Sequence, residues 1–117
     1  MAKQDECLFC RIAKREVASK IVYEDKEIVA FEDTRPQAPA HFLIIPKEHI
    51  ARVSDLKAAN IQLIGRLVLA AKDIARIKGV EDSGYRIVIN CNRDAGQAVF
   101  HLHIHLLGGR AMAWPPG

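Results

Sequence analysis

His101, His103 and His105 alternate with Leu102 and Ile104 in the run Val99-Phe100-His101-Leu102-His103-Ile104-His105-Leu106-Leu107. A strand sends successive side chains to opposite faces, so this run buries hydrocarbon on one face and shows three imidazoles on the other. Neighbouring rings would stand about 6.7 Å apart along the strand. Imidazole can be neutral or protonated near pH 7, and its neutral form carries a nucleophilic lone pair. Two kinds of chemistry suit such a row. The rings can converge on a catalytic metal, or one ring can attack phosphorus or acyl carbon while its neighbours manage protons. Three hydrogen-bonded core histidines in strict alternation are the poorer explanation, because each buried ring must find its own partners. The run reads as a chemical site. A second group of reactive residues, Cys7-Leu8-Phe9-Cys10, has the Cys-x-x-Cys spacing of half a zinc site.

The elements that hold these residues follow from pattern. The chain has 117 residues, 50% hydrophobic and 26% charged, which suits one compact domain spanning residues 1–117 with a tail from 108 to 117. Leu8 to Lys14 reads as a short amphipathic helix. Lys20–Tyr23 and Ile28–Phe31 flank Glu24-Asp25-Lys26-Glu27 as a hairpin. Arg35-Pro36-Gln37-Ala38-Pro39 is a stiff connection that delivers His41 into Phe42-Leu43-Ile44-Ile45, a buried strand stopped by Pro46. Asn60 to Lys78 is helical and ends at Gly79. Its apolar side chains cover an arc of roughly 200°, about twice what one buried stripe needs. Tyr85–Asn90 and Val99–Leu107 are the last strands, joined by a loop whose Gly96 N–H and Gln97 amide are donors suited to an anion. The expected class is α+β: an antiparallel sheet of about five strands with one short and one long helix.

Charge and composition narrow the partners. A formal charge of +3 without any Lys/Arg run gives no sign of nucleic-acid binding. No apolar run approaches the length of a bilayer span. The polar start Met-Ala-Lys-Gln-Asp-Glu and an odd count of three cysteines fit a cytoplasmic, reducing setting. The wide apolar arc on the long helix calls for a second partner, so a two-fold homodimer is expected, centred on Leu63, Leu67, Ala70, Ile74 or on the adjoining edge.

The run His101-Leu102-His103-Ile104-His105-Leu106-Leu107 resembles the signature of the histidine triad (HIT) hydrolases, His-φ-His-φ-His-φ-φ with φ apolar. Pro36 to Phe42, Gly84-Tyr85-Arg86, Ala95-Gly96-Gln97 and the tail Gly108-Gly109-Arg110 through Trp114-Pro115-Pro116-Gly117 look like its Hint branch. The resemblance implies the HIT-like fold and hydrolysis of purine nucleoside 5′-phosphoramidates and aminoacyl-adenylates through a covalent nucleotidyl-histidine. It implies that His103 is the nucleophile, that His105 contacts the phosphate and that His41 sets the protonation of the imidazoles. Asn90, Gly96 and Gln97 match the phosphate loop, Asp33 matches the carboxylate that receives the ribose hydroxyls, and Phe9, Phe31 and Leu43 would line the purine slot. Thr34 and Ala98 also fall at nucleotide-lining positions, where relatives often have isoleucine and serine. No cofactor is needed for that chemistry. Some relatives bind a structural zinc through a set matching Cys7, Cys10, His49 and His101. The resemblance also places Trp114 near the partner's active site in the homodimer. A dinucleoside polyphosphate hydrolase and a nucleotide-binding module with little catalysis are the alternatives.

Overall fold

In the computed structural model, which describes residues 6–117, the chain runs α1 (Leu8–Ala13), β1 (Ile21–Glu24), β2 (Ile28–Glu32), β3 (Ala40–Pro46), α2 (Ile61–Ile77), β4 (Tyr85–Val88) and β5 (Ile104–Gly108). The strands form one antiparallel sheet in the order β1-β2-β3-β5-β4. This is the α+β architecture expected from the patterning.

Alternation along the central strands sorts their side chains between two layers. Phe42 and Ile44 of β3, with Ile104 and Leu106 of β5, pack under α2 in the main core. Leu43 and Ile45, with Val29 and Phe31 of β2, face the other way and pack against Phe9, Cys10 and Ile12 of α1. Because β3 is covered on both faces, every residue in it is buried, which explains its unbroken apolar sequence. His41, His103 and His105 belong to the α1 face, opposite the large helix. The helix α2 closes with a Schellman motif: Val80 N–H donates to Ala75 O (3.0 Å) and Gly79 N–H to Arg76 O (3.2 Å), with Gly79 at φ +77°. The next turn is tied to the sheet at Gly108, where a Cβ would come within 2.9 Å of Val80 Cβ.

Two strands are shorter than their sequence patterns predict. The last strand begins at Ile104 rather than Val99. Its register with β3 ends at the pair Ile44↔Ile104, and two residues further would set Pro46 opposite Leu102. Proline has no N–H to give. Leu102 N–H turns instead to Ile50 O at 2.6 Å, and the chain from Val99 to His103 leaves the sheet. The strand β4 stops at Val88 rather than Asn90, because Val88 already pairs with His105 near the start of its partner.

The long helix answers the question of its wide apolar arc. Leu63, Leu67, Ala70 and Ile74, one of the two edges that could centre an interface, are buried in the chain's own core. Ile61, Val68, Leu69 and Ile77 stay exposed. The arc is therefore shared between the sheet and a second apolar edge.

Candidate active site and candidate metal centre

The three histidines of the signature do not act as one row. His101 precedes the strand, is fully buried and turns to the N-terminal helix. Its Nδ1 lies 3.4 Å from Cys7 Sγ and 3.5 Å from Cys10 Sγ, and His49 Nδ1 lies 3.3 Å from Cys10 Sγ. All four donor atoms fall within 4.8 Å of one another. For tetrahedral zinc with ordinary Zn–S and Zn–N lengths, an S···N edge is about 3.5 Å. The observed separations are those of such a tetrahedron. The tautomer agrees, because His101 Nε2–H donates to Pro46 O at 2.7 Å and leaves Nδ1 bare toward the thiols. Burial, reinforced by the neighbouring Cys7 thiol, pushes the Cys10 thiol up to about 11. In a metal-free protein this thiol stays protonated at neutral pH, and a bound cation would displace its proton. The residues fit zinc.

His103 and His105 face a cleft of about 530 Å³. His103 Nδ1–H donates to His101 O at 2.7 Å, so its Nε2 is the unprotonated nitrogen. Phe9 meets the His103 ring edge-on at 5.2 Å and is itself backed by Phe31 at 5.4 Å, which sets an apolar wall against the imidazole. Next to it a chain of hydrogen bonds fixes two more tautomers. Gln37 N–H donates to His41 Nδ1 at 3.0 Å, so the proton of His41 is on Nε2. That proton points at His105 Nδ1, 2.9 Å away, with Asp33 Oδ2 at 3.4 Å. His105 must then carry its own proton on Nε2. The site thus pairs a bare nitrogen on His103 with an N–H donor on His105, rings 5.0 Å apart. This arrangement suits attack on an anionic centre held by the donor. It does not suit a catalytic metal on the three signature histidines, because their ligand atoms are committed to different partners.

The cleft gathers most of the residues singled out in the sequence. Phe9, Phe31, Asp33, Thr34, Leu43, Asn90, Gly96, Ala98, His103 and His105 all line it. Gln97 does not. Its side-chain amide donates to Ala51 O (2.8 Å) and Val99 O (3.1 Å) and accepts from Asn92 N–H (2.9 Å). The Gly96 and Gln97 main-chain N–H groups are also used, on Arg93 O and Asn92 O. These groups shape the loop rather than face an anion. Arg52 Nη1 braces the same loop through Asn92 Oδ1 at 3.1 Å, a role with no sequence signal because 40 residues separate the two. Leu8, Ile12 and Val17 extend the apolar wall, and Ser19 and Arg35 add polar groups at its rim. The i, i+4 spacing of Leu8 and Ile12 was the available signal for the first two.

Buried neutral imidazoles make the fold sensitive to acid. Burial, with the neighbouring His103 and His41 rings, pushes His105 down to about 4, and burial also lowers His41. The unfolded chain takes up protons near pH 6.5 while the folded chain resists until about pH 4. Stability is therefore full above pH 6.5, declines as the pH falls toward 4, and levels off below. Urea-unfolding midpoints measured across that range should fall toward acid, and the slope should flatten in a His105→Asn variant.

Comparison with known proteins agrees with this geometry. The HIT domain profile matches residues 14–112. An uncharacterized HIT-like protein of Synechococcus elongatus is 50% identical over 113 residues, covering 97% of this chain and 98% of the relative. A 14 kDa zinc-binding protein of Zea mays is 46% identical over 112 residues, covering 94% of this chain and 87% of the relative. The crystal structure of a HIT family hydrolase from Legionella pneumophila Philadelphia 1 superposes with a TM-score of 0.94 at 51% identity, covering 95% of this chain and 99% of that one. With a histidine-lined cleft on a five-stranded sheet, the chain belongs to the histidine triad (HIT) family.

Proposed function

We propose that this HIT protein is a hydrolase of the Hint type. It cleaves purine nucleoside 5′-phosphoramidates and aminoacyl-adenylates through a nucleotidyl-histidine on His103. The observation that carries the reading is the bare Nε2 of His103, set in the cleft by the bond from its Nδ1–H to His101 O. In the first step Nε2 attacks the α-phosphorus, the P–N bond of the phosphoramidate breaks, and the amine departs with one proton taken up. Positive charge on the His103 ring is stabilised through Nδ1–H by the His101 carbonyl. His105 Nε2–H donates to a phosphate oxygen. Water then attacks phosphorus, the P–Nε2 bond breaks, and nucleoside monophosphate and one proton are released. Phe9, Phe31 and Leu43 line the apolar end of the cleft, which takes the purine. Asp33 receives the ribose diol with its Oδ2, since Oδ1 is held by Arg35 N–H at 2.8 Å. Ala98 offers no hydroxyl to the leaving group. Incubation with a fluorogenic adenosine phosphoramidate tests the proposal: fluorescent amine and AMP should appear together. Tight AMP binding without turnover would overturn it in favour of a binding module.

The Cys7, Cys10, His49 and His101 set is proposed as a structural zinc site, in keeping with the zinc-binding relative from maize. Zinc there would supply a tetrahedral cross-link between α1, the end of β3 and the segment before β5. His103 stays free of it.

A two-fold homodimer is proposed through the exposed edge of α2 carrying Ile61, Val68 and Leu69, next to the open edge strand β4. Trp114 is 81% exposed with the Arg86 guanidinium 6.0 Å from its ring, and is available to reach the partner's cleft. Val68→Asp should shift sedimentation from dimer to monomer at micromolar concentration. A charge at the neighbouring Leu67 would not serve as that test, because this position is fully buried and the substitution would unfold the core. Among the described residues, no helix is long and apolar enough to cross a membrane.

A further inference from the structure

Among the described residues, two clusters have the chemistry of transition-metal sites: Cys7, Cys10, His49 and His101, and, at the edge of the cleft, Asp33, His41 and His105, of which Asp33 and His105 line it. The second is a two-histidine, one-carboxylate set with ligand atoms within 4.8 Å of one another. A metal there would take the groups that serve the reaction proposed above. We propose that the main-chain N–H of Gln37 is a positioning group that prevents this. It holds the His41 proton on Nε2, aimed at His105, and so bars divalent transition metals from the Asp33–His41–His105 cluster.

His101 and His41 share the Nε2–H tautomer but turn opposite nitrogens toward their clusters. An imidazole ligates through a bare nitrogen, and its other nitrogen normally donates to a carbonyl or carboxylate. His101 meets both conditions, with Nε2–H on Pro46 O and Nδ1 facing the thiols. His41 meets neither. Its Nδ1 accepts from Gln37 N–H, so the nitrogen that faces Asp33 and His105 is the protonated one. Ligation through Nε2 would send that proton to Nδ1, where it would oppose the Gln37 N–H and cost that donor its partner at a part-buried position.

The donor is held in place from several sides. Gln37 lies between Pro36 and Pro39, its carbonyl accepts from Arg110 Nε at 2.9 Å, and its own side-chain amide donates to Arg35 O at 3.0 Å. A tail residue thus braces the peptide that sets the His41 proton. This explains why a loop of two prolines precedes a catalytic strand.

The inference uses the hydrolase reading only for its consequence, and its test does not need turnover. Full-length protein freed of metal is titrated with Co²⁺, whose near-ultraviolet charge-transfer bands report thiolate ligands. Wild type should show no cobalt bound without those bands. Gln37→Pro, which deletes the N–H, should gain a second equivalent without thiolate bands, bound about tenfold more tightly or better than any such binding in wild type. Arg110→Ala should move the same way by a smaller amount. Cobalt should then inhibit these variants at concentrations that leave wild type active. Nitrogen-15 NMR of the wild-type imidazoles reads the tautomer directly and stands even if Gln37→Pro does not fold. A proton found on His41 Nδ1, or a wild-type cobalt site lost on His105→Asn, would overturn the proposal.

Discussion

Replacing His103 with alanine should lower phosphoramidate turnover by at least about 10⁴-fold, because a mechanism through a covalent intermediate has no substitute for its nucleophile. The fold should survive. His103 sits at the cleft rather than in the core under α2, and the loss of one ring packed on Phe9 should cost roughly 1–3 kcal/mol. Circular dichroism and AMP binding would confirm an intact cleft. His105→Ala should be milder, about 10²–10³-fold, since it removes a hydrogen-bond donor and leaves the attacking nitrogen. The order of the two effects is the informative part. If His105→Ala were the more damaging, the nucleophile would have been assigned to the wrong ring.

Removal of zinc should cost stability before it costs chemistry. The four proposed ligands join α1 to the end of β3 and to the segment before β5, and α1 has only six residues. A helix that short does not persist without tertiary support. Stripping the metal should lower the melting temperature by about 10 °C or more, while the initial rate at 25 °C stays within about twofold. Cys10→Ser should reproduce the loss in a protein that no longer responds to chelator. Metal-free protein with an unchanged melting temperature would contradict the assignment. Because Phe9 lies between Cys7 and Cys10 and also packs on His103, prolonged metal loss should eventually weaken nucleotide binding as well.

How much of this was legible in the sequence depended on how local the cause was. The buried run of β3, the alternation of β5 and the helix end at Gly79 were readable because strand and helix patterns act over a few residues. The residues proposed as catalytic and metal-ligating stood out by residue type and by resemblance to the family. Gln97 was not, because its partners include Ala51 O, 46 residues away, and nothing near it in sequence shows that its amide is already used. The late start of β5 was hidden for the same reason: the proline that stops its ladder lies on another strand. The division of labour among the signature histidines also depends on distant groups. His101 goes to the thiols because Pro46 O accepts its Nε2–H, and His103 becomes the bare nitrogen because the His101 carbonyl accepts its Nδ1–H. On α2, periodicity gave the width of the apolar arc but not the rotation of the helix against the sheet, so which edge is buried and which exposed was left open.

The central claim is the covalent bond between His103 and phosphorus. Its most direct test is peptide mass mapping of enzyme denatured in alkali during turnover of an adenosine phosphoramidate, since N-phosphorylated histidine survives base and is lost in acid. The account predicts an adenylyl adduct on the peptide containing His103, absent from His103→Ala and increased when the water step is slowed by cold quenching. Full hydrolysis with no adduct at any quench time, or an adduct on His105 or His41, would contradict it.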